Sequence, residues 1–83
     1  MRMYLISDDM DSLAGMRLAG VKGECVDSAQ EFLEAFTEAV YDSDIGILLI
    51  TRTLWDEFES IISAYRMNER PLIVPLPQGG IRK

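Results

Sequence analysis

One apolar segment is the most informative about the fold, and it reads Asp44-Ile45-Gly46-Ile47-Leu48-Leu49-Ile50-Thr51. Every position from Ile45 to Ile50 is apolar, so both faces of this segment need to be buried. Strands that are buried on both faces are typical of parallel sheets with helices on the two sides. We therefore predict a central strand of such a sheet here.

Three shorter apolar runs lie before and after this segment. Met3–Ile6 and Leu72–Val74 are predicted strands, and the weaker run Glu24–Val26 is predicted to be an edge strand. The last run also belongs on an edge, because proline cannot donate to a strand ladder, and this run is bracketed by Pro71, Pro75 and Pro77.

Between these runs the apolar residues follow a helical period. A first helix is predicted from Asp11 to Ala19, with Asp9 or Asp11 as its cap and Gly20 at its end. A second helix begins at a capping box of Ser28 and Glu31, and its apolar stripe consists of Ala29, Phe32, Leu33, Phe36, Ala39 and Val40.

A third helix is predicted over the next apolar stripe, with Thr53 and Asp56 at its start. Its buried side is predicted to contain Leu54, Trp55, Phe58, Ile61, Ile62 and Tyr65. Strands and helices therefore alternate along the chain, which favours right-handed crossovers and a parallel sheet.

The predicted fold class is α/β, with a four-stranded parallel sheet in the order 2-1-3-4 and helices on both faces, as in flavodoxin, receiver and other Rossmann-like folds. This order places the two most apolar strands, the first and the third, in the centre. We predict one domain over residues 1–77 and a C-terminal linker or tail over residues 78–83.

Composition excludes several classes of function. The chain has 83 residues, 48% of them apolar and 27% charged, with a net charge of −6, one cysteine and no histidine. No apolar run approaches the roughly 20 residues of a membrane span. The single cysteine excludes an internal disulfide and favours a reducing compartment. The absence of histidine excludes histidine-based catalysis, and the negative charge disfavours nucleic acids.

Ligands of open α/β sheets bind at the carboxyl ends of the strands. Asp8, Asp9 and Asp11 follow the first strand, and carboxylate oxygens can hold Mg²⁺. This pattern is also found in phospho-acceptor receiver domains, but the acceptor aspartate at the end of the third strand is replaced by Thr51. The same acids also suit turn and helix-cap positions. We predict no catalytic residue, no metal ligand and no cofactor.

Gly15 and Ala19 lie four residues apart on one side of the first predicted helix. Small side chains here predict close packing of the helix on the sheet, with a partner surface as the alternative. Arg17 is the one cation of this helix, and it can pair either with nearby acids or with another protein.

Three segments resemble the F subunit of the V-type, or archaeal-type, rotary ATPases. The first is Tyr4–Val21, which includes Gly-Met-Arg-Leu-Ala-Gly at residues 15–20. The others are Asp44–Thr51 and Pro71–Pro77. Family chains usually continue into a C-terminal helix, whereas this sequence ends with Gln78–Lys83, which corresponds to the connecting linker. The chain is therefore either truncated or a member without that helix.

The resemblance implies a non-catalytic central-stalk subunit of the rotor. Such a protein binds the coiled-coil D subunit of the stalk, meets the catalytic A–B hexamer indirectly, and helps couple ATP hydrolysis or synthesis to H⁺ or Na⁺ transport. It implies a cytoplasmic location, peripheral to the membrane. The alternative is a degenerate receiver-like regulator that binds Mg²⁺ or a protein. For the rotor hypothesis, we predict that the partner surface includes Asp8, Asp9, Met10, Met16 and Arg17.

Overall fold

The computed structural model describes residues 2–67 and 71–76, and within these ranges it confirms the predicted α/β fold. The four parallel strands are ordered β2-β1-β3-β4. The elements in chain order are β1 (Arg2–Ser7), α1 (Met10–Leu18), β2 (Lys22–Cys25), α2 (Ala29–Val40), β3 (Ile45–Thr51), α3 (Arg52–Glu57), α4 (Glu59–Tyr65) and β4 (Leu72–Leu76). The predicted tail, residues 78–83, lies outside the described residues.

The central strands are buried as their sequences predict. In β3, Leu48 and Ile50 have no exposed surface, and in β1 the same is true of Leu5 and Ile6. The two weaker strands lie at the edges, as expected. The prolines do not simply bracket β4, however, because Pro75 lies inside it and is paired with Ile50. An edge strand tolerates this residue because it lacks a neighbour on one side.

The two faces of the sheet are covered by different helices. On the face that we call the closed face, α2, α3 and α4 form a core with alternate strand residues. Phe32 is fully buried there, with its ring stacked on Phe58 at 4.3 Å and on Phe36 at 5.5 Å. On the other face, which we call the open face, α1 packs on a smaller cluster whose buried members are Leu5, Leu13 and Leu49.

The start of α2 confirms the predicted cap. The Ser28 hydroxyl accepts the Glu31 N–H at 3.1 Å, while the Glu31 carboxylate accepts the Asp27 N–H at 2.7 Å. The second arm of the predicted capping box therefore reaches one residue further back than Ser28. The predicted stripe is wrong at two positions, because Ala29 is exposed in the first turn and Leu33 is 38% exposed, while Ala35 is buried instead.

The third predicted helix is wrong in two respects. It is interrupted at Phe58, which separates α3 from α4 and turns its ring into the aromatic stack on α2. Thr53 is not the cap either, because α3 begins at Arg52 with Thr51 before it and without a side-chain cap bond. In the described ranges, no helix is long and apolar enough to cross a membrane.

Candidate functional site

The turn between β1 and α1 holds its polar groups in a compact hydrogen-bond network. Ser7 is fully buried, and its hydroxyl donates to the Asp9 carbonyl at 2.7 Å and accepts the Asp9 N–H at 2.8 Å. The Asp9 carboxylate accepts the Asp11 N–H at 3.1 Å and the Ser12 hydroxyl at 2.9 Å. Asp9 is therefore the N-cap of α1, which is one of the two predicted caps.

These bonds also affect the ionisation of the cap. The Ser12 hydroxyl, followed by the Asp11 N–H, lowers the pKa of Asp9, because both donors favour the charged carboxylate. A charged residue at this position also interacts favourably with the positive end of the helix dipole. The network thus stabilises the start of α1.

Asp8 bridges this turn to the end of β3. Its two carboxylate oxygens accept the Thr51 hydroxyl at 3.0 Å and the Thr53 hydroxyl at 2.5 Å. Thr51 is buried at the position where a receiver domain would carry its phospho-acceptor. Its side chain is a neutral donor, so this arrangement ties two elements together and offers no carboxylate for phosphorylation. Among the described residues, no group of three acidic or cysteine side chains is arranged to hold a metal ion.

Cys25 lies half-buried in edge strand β2. Burial raises the pKa of its thiol, and the negative charge of Asp27 raises it further. Both effects disfavour the thiolate, which is the reactive form of cysteine. This geometry agrees with the role of a small apolar side chain.

The five predicted interface residues divide into three environments. Asp8 and Asp9 bind groups within the fold, as described above. Met10, the first residue of α1, is 62% exposed. Met16 packs against the cluster on the open face. Arg17 is exposed, and within residues 2–67 and 71–76 it makes no salt bridge.

The orientation of α1 corrects the prediction for its small residues. A methyl group added at Gly15 would meet nothing within 4 Å, and Ala19 is exposed, so this side of α1 does not pack on the sheet. Close packing occurs instead in β2, where an added Cβ at Gly23 would overlap the Leu5 carbonyl oxygen and lie 3.0 Å from Leu13. The small residues of α1 therefore face outward.

Two exposed residues near Arg17 are not identified by the sequence analysis. Leu18 is 92% exposed at the end of α1, and Lys22 is exposed at the start of β2. The sequence does indicate that Leu18 is unusual. It lies outside the stripe formed by Leu13 and Met16, on the outer side of the helix, and this side is polar in most surface helices.

A cavity of about 600 Å³ lies beside Arg17 and Lys22, around the start of β2. Its lining consists of Tyr4, Arg17, Gly20, Val21, Lys22 and Gly23. Gly20 adopts φ of +89°, a left-handed conformation that ends α1 and that side chains disfavour. The Tyr4 hydroxyl donates to Glu24 at 2.9 Å, and burial, followed by this carboxylate, raises the pKa of Tyr4 to about 12.

Comparison with known proteins identifies one family. The family model described as ATP synthase (F/14-kDa) subunit matches residues 3–81, which is nearly the whole chain. No curated protein and no solved structure gives a significant match.

Proposed function

Because the chain belongs to the ATP synthase (F/14-kDa) subunit family, and is thus an F subunit of a V-type ATPase, we propose that it is a non-catalytic part of the central stalk. In this proposal it binds the coiled-coil D subunit of the stalk and rotates with it. It helps to couple ATP hydrolysis or synthesis at the A–B hexamer to H⁺ or Na⁺ transport. Its location is the cytoplasmic sector of the complex, peripheral to the membrane.

The family match over residues 3–81 carries this proposal. The geometry of the β1–α1 turn supports it, because the side chains of Asp8, Asp9 and Thr51 are all hydrogen-bonded within the fold. A rotor component needs a rigid body and a binding surface, and this network provides rigidity at the carboxyl ends of the central strands.

We place part of the binding surface on α1 and the turn before it. Met10 and Arg17 would contact the partner directly, since both are exposed. Asp8 and Asp9 would hold the turn in position, and Met16 would set the packing of α1 on the sheet. Methionine and arginine are both enriched at protein interfaces.

Co-elution with the purified D subunit on size exclusion tests the function. We expect a stable one-to-one complex with residues 1–83. Separate elution of the two proteins over the whole accessible concentration range would contradict the proposal for this chain.

A matched pair of variants tests the location of the surface. Met10→Glu should weaken the complex, because it places a charge in an apolar contact. Met67→Glu is the control, since Met67 is 90% exposed and lies beyond α4, which packs on the closed face. Equal binding by the two variants would remove Met10 from the interface.

A further inference from the structure

The C-terminal corner of α1 combines an apolar side chain with two cations. We call Arg17, Leu18 and Lys22 the basic corner. Leu18, at 92% exposure, is the most exposed of the large apolar side chains in the described ranges. A leucine in this position gains nothing from the fold of its own chain, so a contact outside the chain is its clearest use.

The two cations differ from the others in the described part of the chain. Arg2 pairs with Asp42 at 3.4 Å and with Asp44 at 3.8 Å, and Arg52 pairs with Asp56 at 3.3 Å. Arg66 lies over the ring of Trp55, 5.2 Å from its centroid. Arg17 and Lys22 make no ion pair within residues 2–67 and 71–76, although acids outnumber bases by 14 to 8 in the sequence.

The cavity around the start of β2 joins these two cations. Both line it, together with Tyr4, Gly20, Val21 and Gly23. About 600 Å³ is ample room for a carboxylate side chain. A carboxylate that enters this cavity would meet two cations, and an apolar neighbour on the same segment would cover Leu18.

We propose that the basic corner binds a carboxylate-bearing, apolar segment of the stalk's D subunit, with the carboxylate between Arg17 and Lys22 and an apolar side chain on Leu18. This inference rests on the proposed function and names the chemistry of the partner. Charge complementarity favours this occupant, since the corner is a cationic site on a protein with a net charge of −6. The same net charge disfavours a second copy of this chain, because two such copies repel each other.

The test measures the affinity of the 83-residue chain for the purified D subunit at low and at moderate salt. Arg17→Glu and Lys22→Glu should each lower the affinity about tenfold, and salt should no longer weaken binding by the double variant, because its corner repels the carboxylate. Leu18→Ser should lower the affinity with the salt dependence unchanged.

Arg66→Glu is the matched control, because it makes the same change in net charge where the arginine covers Trp55 in the core of the closed face. The urea midpoint of each corner variant should stay near that of wild type, since the corner residues are exposed. Arg17→Gln and Lys22→Gln provide milder variants if a reversal unfolds the chain. An acid-to-lysine variant of the D subunit that restores binding to Lys22→Glu would identify the paired carboxylate.

The outcomes separate the two proposals. If wild type does not bind the D subunit, the proposed function fails, and this inference fails with it. If wild type binds and the double variant binds as well as Arg66→Glu, only the basic corner is overturned. Self-association of wild type that Arg17→Glu abolishes would overturn the choice of partner in favour of a second copy.

Discussion

The closed and open faces of the sheet differ in how completely the chain covers them. On the closed face, α2, α3 and α4 bury a continuous aromatic and aliphatic core. On the open face, the described residues provide only α1, which contacts β1 and β2. Leu72 and Met3, which alternate with buried or half-buried residues of the strands, are 58% and 38% exposed.

This difference assigns separate tasks to the two faces. Parallel sheets are normally covered on both sides, but here the large buried core lies on the closed face and the cluster on the open face is small. We therefore expect the closed face to account for most of the stability of the isolated chain. Within residues 2–67 and 71–76, the open face and the outer side of α1 leave apolar side chains exposed. The following substitutions test this division.

Removal of the central ring of the closed face should have the largest effect. Phe32→Ala should lower the free energy of unfolding by about 3–5 kcal/mol, because the ring is fully buried between Phe36 and Phe58. Leu13→Ala, on the open face, should cost about 2 kcal/mol, near the lower limit for this substitution. Urea denaturation measures both. Equal losses would mean that the open face contributes as much as the closed face.

Substitutions at two neighbouring residues of β4 compare the closed and open faces within one strand. Ile73 is 2% exposed in the core of the closed face, whereas Leu72 is 58% exposed on the open face. Ile73→Ala should cost about 2–4 kcal/mol, and Leu72→Ala about 0.5 kcal/mol or less. Thermal unfolding of the two variants gives the comparison, and a large loss for Leu72→Ala would show that this side chain is buried in solution.

Substitutions at two glycines test which positions around α1 are closely packed and which are open. Gly23→Ala should cost about 1–3 kcal/mol, because the added methyl group meets the Leu5 backbone. Gly15→Ala should instead stabilise the chain by about 0.5–1 kcal/mol, since it adds helix propensity in free space. Chemical denaturation of the two variants measures whether each substitution raises or lowers the free energy of unfolding. If Gly15→Ala is destabilising, α1 packs differently from its position here.

The last comparison concerns the hydrogen bond between Tyr4 and Glu24. Burial and this carboxylate raise the pKa of Tyr4 from 10.0 to about 12, so the unfolded chain releases the phenol proton first. The resulting contribution to stability is complete below about pH 10 and is lost as the pH rises towards 12. The urea midpoint of wild type should fall over this range more than that of Tyr4→Phe. Parallel curves would show that the phenol ionises alike in the folded and unfolded chains.

The strand order could be predicted because burial on both faces leaves a distinct pattern. The unbroken apolar run of β3 requires a central position, and the prolines in and beside β4 favour an edge. The Asp9 and Ser28 caps could be predicted for a similar reason, since each acts within one turn of helix. A helix cap depends on a few neighbouring residues, and the burial of a strand is indicated by one continuous apolar run. Both can therefore be identified from a single segment of the sequence.

The interruption at Phe58 depends on residues far away in the chain. Its ring stacks on Phe32, which belongs to another helix, and the apolar stripe continues on both sides of the break. The orientation of α1 is hard to predict for a different reason, because apolar and small residues surround this helix on most sides. When a helix has no clear polar side, its sequence pattern does not show which face is buried and which is exposed.

The uncovered apolar surface of Met3 and Leu72 also matters before the chain reaches its complex. If a partner covers this surface in the complex, a newly made copy exposes it until assembly, and chaperones and proteases act on chains that expose apolar surface. We therefore expect copies made in excess of their partner to be removed more quickly than assembled ones. The incomplete cover of one sheet face would then help to match the supply of this subunit to that of its complex.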